Sequence, residues 1–100
     1  MEAMYTLKLI TTHTYIKVTR KIDWNVQKYE EEEKIIELYD DTIIWQEDQI
    51  LMSDVFDVSY KISKRSMGVL YLHTNRGVFP FYVKKVPEDF IEQYKRLKKK

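Results

Sequence analysis

The most constraining feature of this sequence is a two-residue alternation of apolar and polar side chains that recurs through residues 5–84. Such alternation is typical of β-strands with one buried face. It predicts seven strands within about residues 4–84, at 5–11, 15–22, 34–39, 42–46, 55–63, 68–74 and 78–84. The last two are joined by Asn75-Arg76-Gly77, where Gly77 suits a position that needs a positive φ.

Three features predict how the strands are connected and placed. The segment 23–33 is polar and contains four consecutive glutamates, so we predict a solvated loop there rather than a short helix capped by Asp23. Residues 11–14 and 47–49 are interpreted as a connection and a turn. Pro80 cannot donate a ladder hydrogen bond, which places the last strand at a sheet edge, at least locally.

The end of the chain changes to a helical pattern, which predicts one amphipathic helix over 87–98. Pro87 suits the first helical position, acids follow it, and lysines fill the last turn. Phe90, Ile91, Tyr94 and Leu97 form a single apolar stripe. This stripe is expected to pack against the strands.

Composition bounds the class of protein. The chain has 100 residues, 44% of them hydrophobic, which suits a single domain over residues 1–100. It has no cysteine, so disulfides and thiolate chemistry are excluded. His13 and His73 lack a metal-binding spacing, and we expect no metal, no cofactor and no catalytic residue. Short apolar runs and the absence of a signal-peptide pattern predict a cytoplasmic protein.

Two stretches of the sequence resemble small bacterial pleckstrin-homology-like (PH-like) domains. The first is K-I-I-E-L-Y-D-D-T-I-I-W with I-L-M-S-D-V-F-D-V-S-Y-K, at 34–45 and 50–61. The second is the hairpin G-V-L-Y-L-H-T-N-R-G-V-F-P-F-Y-V at 68–83, leading into P-E-D-F-I-E-Q-Y-K-R-L. The resemblance implies an α+β, mainly β fold. It is a partly closed barrel of about seven antiparallel strands in two nearly orthogonal sheets, capped by the C-terminal helix.

The resemblance also implies a non-catalytic module that binds a protein partner or a second copy of itself, through an aromatic sheet face or the sheet edge near the C-terminal helix. The chain is rich in aromatic residues, which are enriched at protein interfaces. Tyr71, Phe79 and Phe81 of the last hairpin are the candidate partner contacts, with core packing as the alternative for them.

The uneven charge distribution supports another prediction, a binder of anionic phosphate groups. Residues 30–57 hold eleven acids and one lysine, whereas 58–100 hold eleven basic residues and three acids. Lys61, Lys64 and Arg65 are the candidate anion contacts, for membrane lipid head groups or nucleic acid. The alternatives are a solvated loop at 64–66, and acidic and basic strands that pair across the sheet.

Overall fold

The computed structural model describes residues 8–63 and 67–99. The strands are β1 (Leu9–Asp23), β2 (Val26–Tyr39), β3 (Thr42–Trp45), β4 (Asp48–Leu51), β5 (Val55–Ile62), β6 (Gly68–Thr74) and β7 (Gly77–Val83). A single 3₁₀ turn at Met52–Asp54 joins β4 to β5, and the helix α1 spans Glu88–Lys98. The protein is therefore mainly β with one C-terminal helix, as the sequence predicted.

The seven strands form one antiparallel sheet in the order β4-β3-β2-β1-β7-β6-β5. A partly closed barrel of two nearly orthogonal sheets was expected. Instead, β1 joins the two halves through one pair of residues within the described chain, Ile16 with Tyr82. The sheet is not closed, since β4 and β5 are its two end strands.

The first two strands correct the sequence prediction most. β1 is continuous through 11–14, because three of these four residues are β-branched threonines that suit a strand. The predicted loop at 23–33 is wrong as well, since β2 begins at Val26 and pairs with β1 as far as Asp23. Its glutamates lie opposite a basic strand, and Lys21 Nζ is 3.0 Å from a carboxylate oxygen of Glu30.

The turn regions differ in how well they were predicted. Gly77 has a φ of 110°, as its place in the hairpin loop predicted. The predicted turn at 47–49 is wrong in part, because β4 already begins at Asp48. β4 is too short for its alternation to stand out, and it is held by pairing with β3 from Thr42 to Trp45.

The core lies between one face of the sheet and α1. Fully buried aliphatic side chains come from both halves of the sheet, among them Ile36, Leu38, Ile43, Leu70 and Leu72. Phe90 and Tyr94 of α1 are buried against them, and Ile91 and Leu97 are partly buried, which confirms the predicted stripe. The Tyr94 hydroxyl donates to the Val55 carbonyl at 3.2 Å, so the helix is fastened to β5.

Candidate functional site

A cleft opens where β1 and β7 separate, beyond the Ile16–Tyr82 pair. It has a volume of about 580 Å³. We call it the β1–β7 cleft, and it is lined by Tyr15, Ile16, Lys17, Val18, Trp45, Gln46, Glu47, Asp48, Pro80, Phe81 and Tyr82. β7 is not an edge strand, which corrects the expectation from Pro80. Locally, however, the β1 side of β7 is unpaired at Pro80, because the single β1–β7 pair is at Tyr82. A residue without an N–H is tolerated at such a position.

The floor of the cleft rests on packed aromatic rings. The Tyr15 and Phe81 centroids are 5.0 Å apart and the Trp45 and Phe81 centroids 5.3 Å apart, both edge-to-face. Phe79 also packs against Trp45, with their ring centroids 5.3 Å apart. Edge-to-face packing stabilises such rings beyond their burial, so the floor is preformed and apolar.

Gln46 organises the polar rim beside this floor. Its side-chain amide donates to the Tyr15 hydroxyl at 3.0 Å and accepts from Lys17 Nζ at 3.3 Å. Its backbone φ of 50° is unusual for a residue other than glycine. The bridge holds the β3–β4 turn against β1, so these polar groups are already partnered before any ligand arrives.

Arg76, in the β6–β7 turn, holds β4 in place beside the cleft. Its guanidinium donates to the Gln49 carbonyl at 2.9 Å and lies 3.4 Å from a carboxylate oxygen of Asp48. The same group stands 5.3 Å above the centre of the Phe79 ring. Together these contacts tie the two halves of the sheet across the open end.

The structure separates the three predicted partner contacts. Phe81 is 4% exposed and Phe79 is partly buried against the core, so both follow the core alternative. Tyr71 lies on the opposite face of the sheet, because it pairs with Pro80 while Leu70 and Leu72 pair with the two phenylalanines. Of the three, only Phe81 lines the cleft.

The predicted anion contacts are described only in part. Lys61, one residue before the end of β5, lines a pocket of about 240 Å³ that Tyr71 also lines. Lys64 and Arg65 lie outside the described residues. The anion site therefore stays a prediction.

Both histidines make hydrogen-bonding contacts with other parts of the protein. His73 Nε2 is 2.8 Å from Ser59 Oγ, but Ser59 sits in the middle of a strand, without the strand-to-helix turn that exposes a nucleophile. His13 Nε2 is 3.1 Å from the Lys85 carbonyl, and burial lowers the pKa of this imidazole. Within 8–63 and 67–99, no group of three or more His, Asp or Glu residues is placed to hold a metal ion.

Sequence reasoning missed most of the cleft. Tyr15, Trp45 and Gln46 come from segments that are distant in the sequence, and each was interpreted only as part of a strand. The one local indication of the cleft in the sequence was the short strand that ends in Trp45, which is followed by Gln46 and two acidic residues.

Comparison with known proteins adds no identification: no family model, no curated protein and no solved structure matches this chain. In the described part of the chain, no helix has the length and apolar character needed to cross a membrane.

Proposed function

We propose that the protein is a non-catalytic binding module that joins protein surfaces, another protein or a second copy of itself, through the β1–β7 cleft. A PH-like arrangement is part of the proposal. It is supported by four strands on one side of the Ile16–Tyr82 pair, three on the other, and a helix packed on the core.

The main support for this proposal is the aromatic floor of the cleft, which lies between the diverging edges of β1 and β7. Beyond Ile16, neither β1 nor β7 pairs with the other within the described residues. Free strand edges supply backbone donors and acceptors to an incoming strand, except at Pro80 of β7, which has no N–H to donate, and the recess between the edges accepts a side-chain anchor. That combination suits a protein segment.

The charge of the rim is balanced. Glu47 and Lys17 both line the cleft, and the Asp48 carboxylate is paired with the Arg76 guanidinium at 3.4 Å. The apolar floor and the backbone groups of the strand edges, rather than a strong local charge, therefore support a protein segment as the ligand.

Site-specific photo-cross-linking tests this proposal. We would place a photoreactive residue at Glu47, which is exposed at the cleft, and as a control at Lys95, which is exposed on α1. We expect protein adducts, to a second copy or to another protein, from position 47 in the producing cells and none from position 95.

The adducts must also depend on the shape of the cleft. Adding Pro80→Arg should remove them, because an arginine side chain would fill the space between β1 and β7. If position 47 yields no adduct, or the same adducts with and without Pro80→Arg, the cleft is not a binding site.

A further inference from the structure

The outer edge of β5 is one of the two ends of the sheet. Near its start this edge is covered, because the Val55 carbonyl accepts a hydrogen bond from the Tyr94 hydroxyl of α1 at 3.2 Å. No strand of the described chain pairs with the remainder, residues 56–62, which we call the β5 edge. A free strand edge presents backbone groups to which another chain can add a strand.

The hydrogen bonds to β6 determine which backbone groups of the β5 edge point outward. The Ser63 N–H donates to the Met67 carbonyl at 2.8 Å, in the register of the β5–β6 pair. Bonded and non-bonded positions alternate along an antiparallel pair. Counting back from Ser63, every second residue to Asp57 therefore bonds to β6. Val58 and Tyr60, which lie between them, direct their N–H and C=O groups away from the sheet.

The β5 edge is complementary to a second copy of itself. An antiparallel pair of two β5 edges centred on Ser59 places Asp57 opposite Lys61 of the second copy, and this pair occurs once on each side of the centre. It also places Val58 opposite Tyr60 of the second copy. These are the residues with outward backbone groups, so each such pair exchanges both of its backbone hydrogen bonds.

The two charged residues are available for this contact. Asp57 and Lys61 are exposed, and neither forms an ion pair with another side chain within residues 8–63 and 67–99. Both lie on the outer face of the sheet, since Val58 between them pairs with the buried Leu72 on the core face. Opposite charges on directly opposed residues are favourable, whereas equal charges there are destabilising.

Two exposed apolar side chains stand at the ends of the same segment. Phe56 is 67% exposed and Ile62 is 75% exposed. Pairing about Ser59 brings Phe56 of each copy level with Ile62 of the other, so both are removed from water together. The other end of the sheet lacks such a match, because β4 has four residues and its Gln49 carbonyl already accepts from Arg76.

We infer that two copies of this protein pair through their β5 edges about a two-fold axis at Ser59, which joins their sheets into one. The same surface is used by both copies, so the contact closes as a dimer. The inference does not rest on the proposed function, because β6 lies between β5 and the β7 strand of the cleft. One strand edge per copy makes a small interface, so the dimer is weak and forms at high chain concentration.

Charge reversal at the two opposed positions tests the inference. The variants are Asp57→Lys, Lys61→Asp and the double reversal, all at exposed positions, with circular dichroism to verify folding. Light scattering of the unmodified chain should show a molar mass that rises with concentration from 12.2 kDa toward twice that value. Each single reversal places equal charges opposite each other on both sides of the axis and should weaken self-association roughly 10-fold or more.

Restoring opposite charges should restore the dimer in two ways. The double reversal exchanges the two charges and should associate like the unmodified chain. An equimolar mixture of Asp57→Lys and Lys61→Asp should form a heterodimer, because every pair across the axis then joins a basic with an acidic side chain. High salt should reduce the differences among the variants, since exposed charges are screened.

A cysteine at the axis gives an independent measurement, which also decides the question if a charge reversal is unfolded. Ser59→Cys adds a thiol to a chain that has none, and the axis places two copies of it about 4.5 Å apart between Cα atoms, a distance that a disulfide spans. Oxidation with copper phenanthroline should give a disulfide-linked dimer on a non-reducing gel. Ser53→Cys, the same change at an exposed serine before β5, is the matched control and should give far less.

Four results would overturn the inference: a monomer at every concentration, self-association that is the same in the single reversals as in the unmodified chain, no recovery in the mixture or the double reversal, or equal disulfide yields from Ser59→Cys and Ser53→Cys. Association that resists the charge reversals but is lost with Pro80→Arg would assign the dimer to the β1–β7 cleft instead. The proposed function fails separately, because the absence of adducts from position 47 would leave a dimer through β5 intact.

Discussion

Replacing Phe90 by alanine tests how α1 contributes to the fold. The Phe90 side chain is 0% exposed and packs in the core cluster between the sheet and the helix. Removing a fully buried phenylalanine ring destabilises a domain by about 3–5 kcal/mol, through lost burial and a residual cavity. For a domain of this size each kcal/mol lowers Tm by roughly 4–8 °C, so the variant should melt at least about 12 °C lower.

The matched control is Phe56→Ala, the same chemical change at a residue that is 67% exposed on β5. Its free energy of unfolding should change by no more than about 0.5 kcal/mol. Urea denaturation followed by circular dichroism measures both variants, and the midpoint should fall strongly for Phe90→Ala alone. Equal midpoints for the two variants would show that α1 does not close the core as described.

Three further outcomes are expected. Tyr94→Phe removes the hydrogen bond to Val55 and should lower the free energy of unfolding by about 1 kcal/mol in urea denaturation. Burial raises the pKa of the Tyr94 phenol to about 12, so an alkaline titration followed by absorbance at 295 nm should lack this high-pH ionisation step in the variant. Because burial lowers the pKa of His13 below its ordinary 6.5, the unfolded chain takes up the proton first as pH falls. The urea concentration at the unfolding midpoint should therefore decrease as the pH is lowered below 6.5. His13→Gln should make this dependence of the midpoint on pH weaker. The same pH dependence in both proteins would contradict the burial of this imidazole. Vesicles containing phosphatidylserine should show no salt-sensitive binding, and binding weakened by Lys61→Glu would favour the anionic-phosphate alternative instead.

The sequence predicted best where a pattern is local. The stripe of Phe90 and Tyr94 defined α1, because a helix is formed by contacts between residues three or four apart. Gly77 was placed correctly for the same reason, since a tight turn depends on the φ of one or two residues.

Residues 23–33, which include the first part of β2, were mispredicted because alternation is absent where both faces of a strand are solvated. Strand pairing there depends on the backbone ladder and on cross-strand contacts such as Lys21 with Glu30, which no pattern within one strand reveals. A run of glutamates therefore appeared to be a loop. The misassignment also concealed the tight turn at Trp24 and Asn25, whose φ values are 51° and 66°.

By itself the sequence determined a mainly β chain with a C-terminal amphipathic helix and no cysteine chemistry, because these follow from composition and from contacts close along the chain. Only the tertiary structure decided the site. Strand order brought Tyr15, Trp45 and Phe81 together, and the point at which β1 leaves β7 opened the cleft. Tyr71 and Phe81 were divided between opposite faces by cross-strand register. Register and strand order are long-range properties, set by packing between segments far apart in sequence.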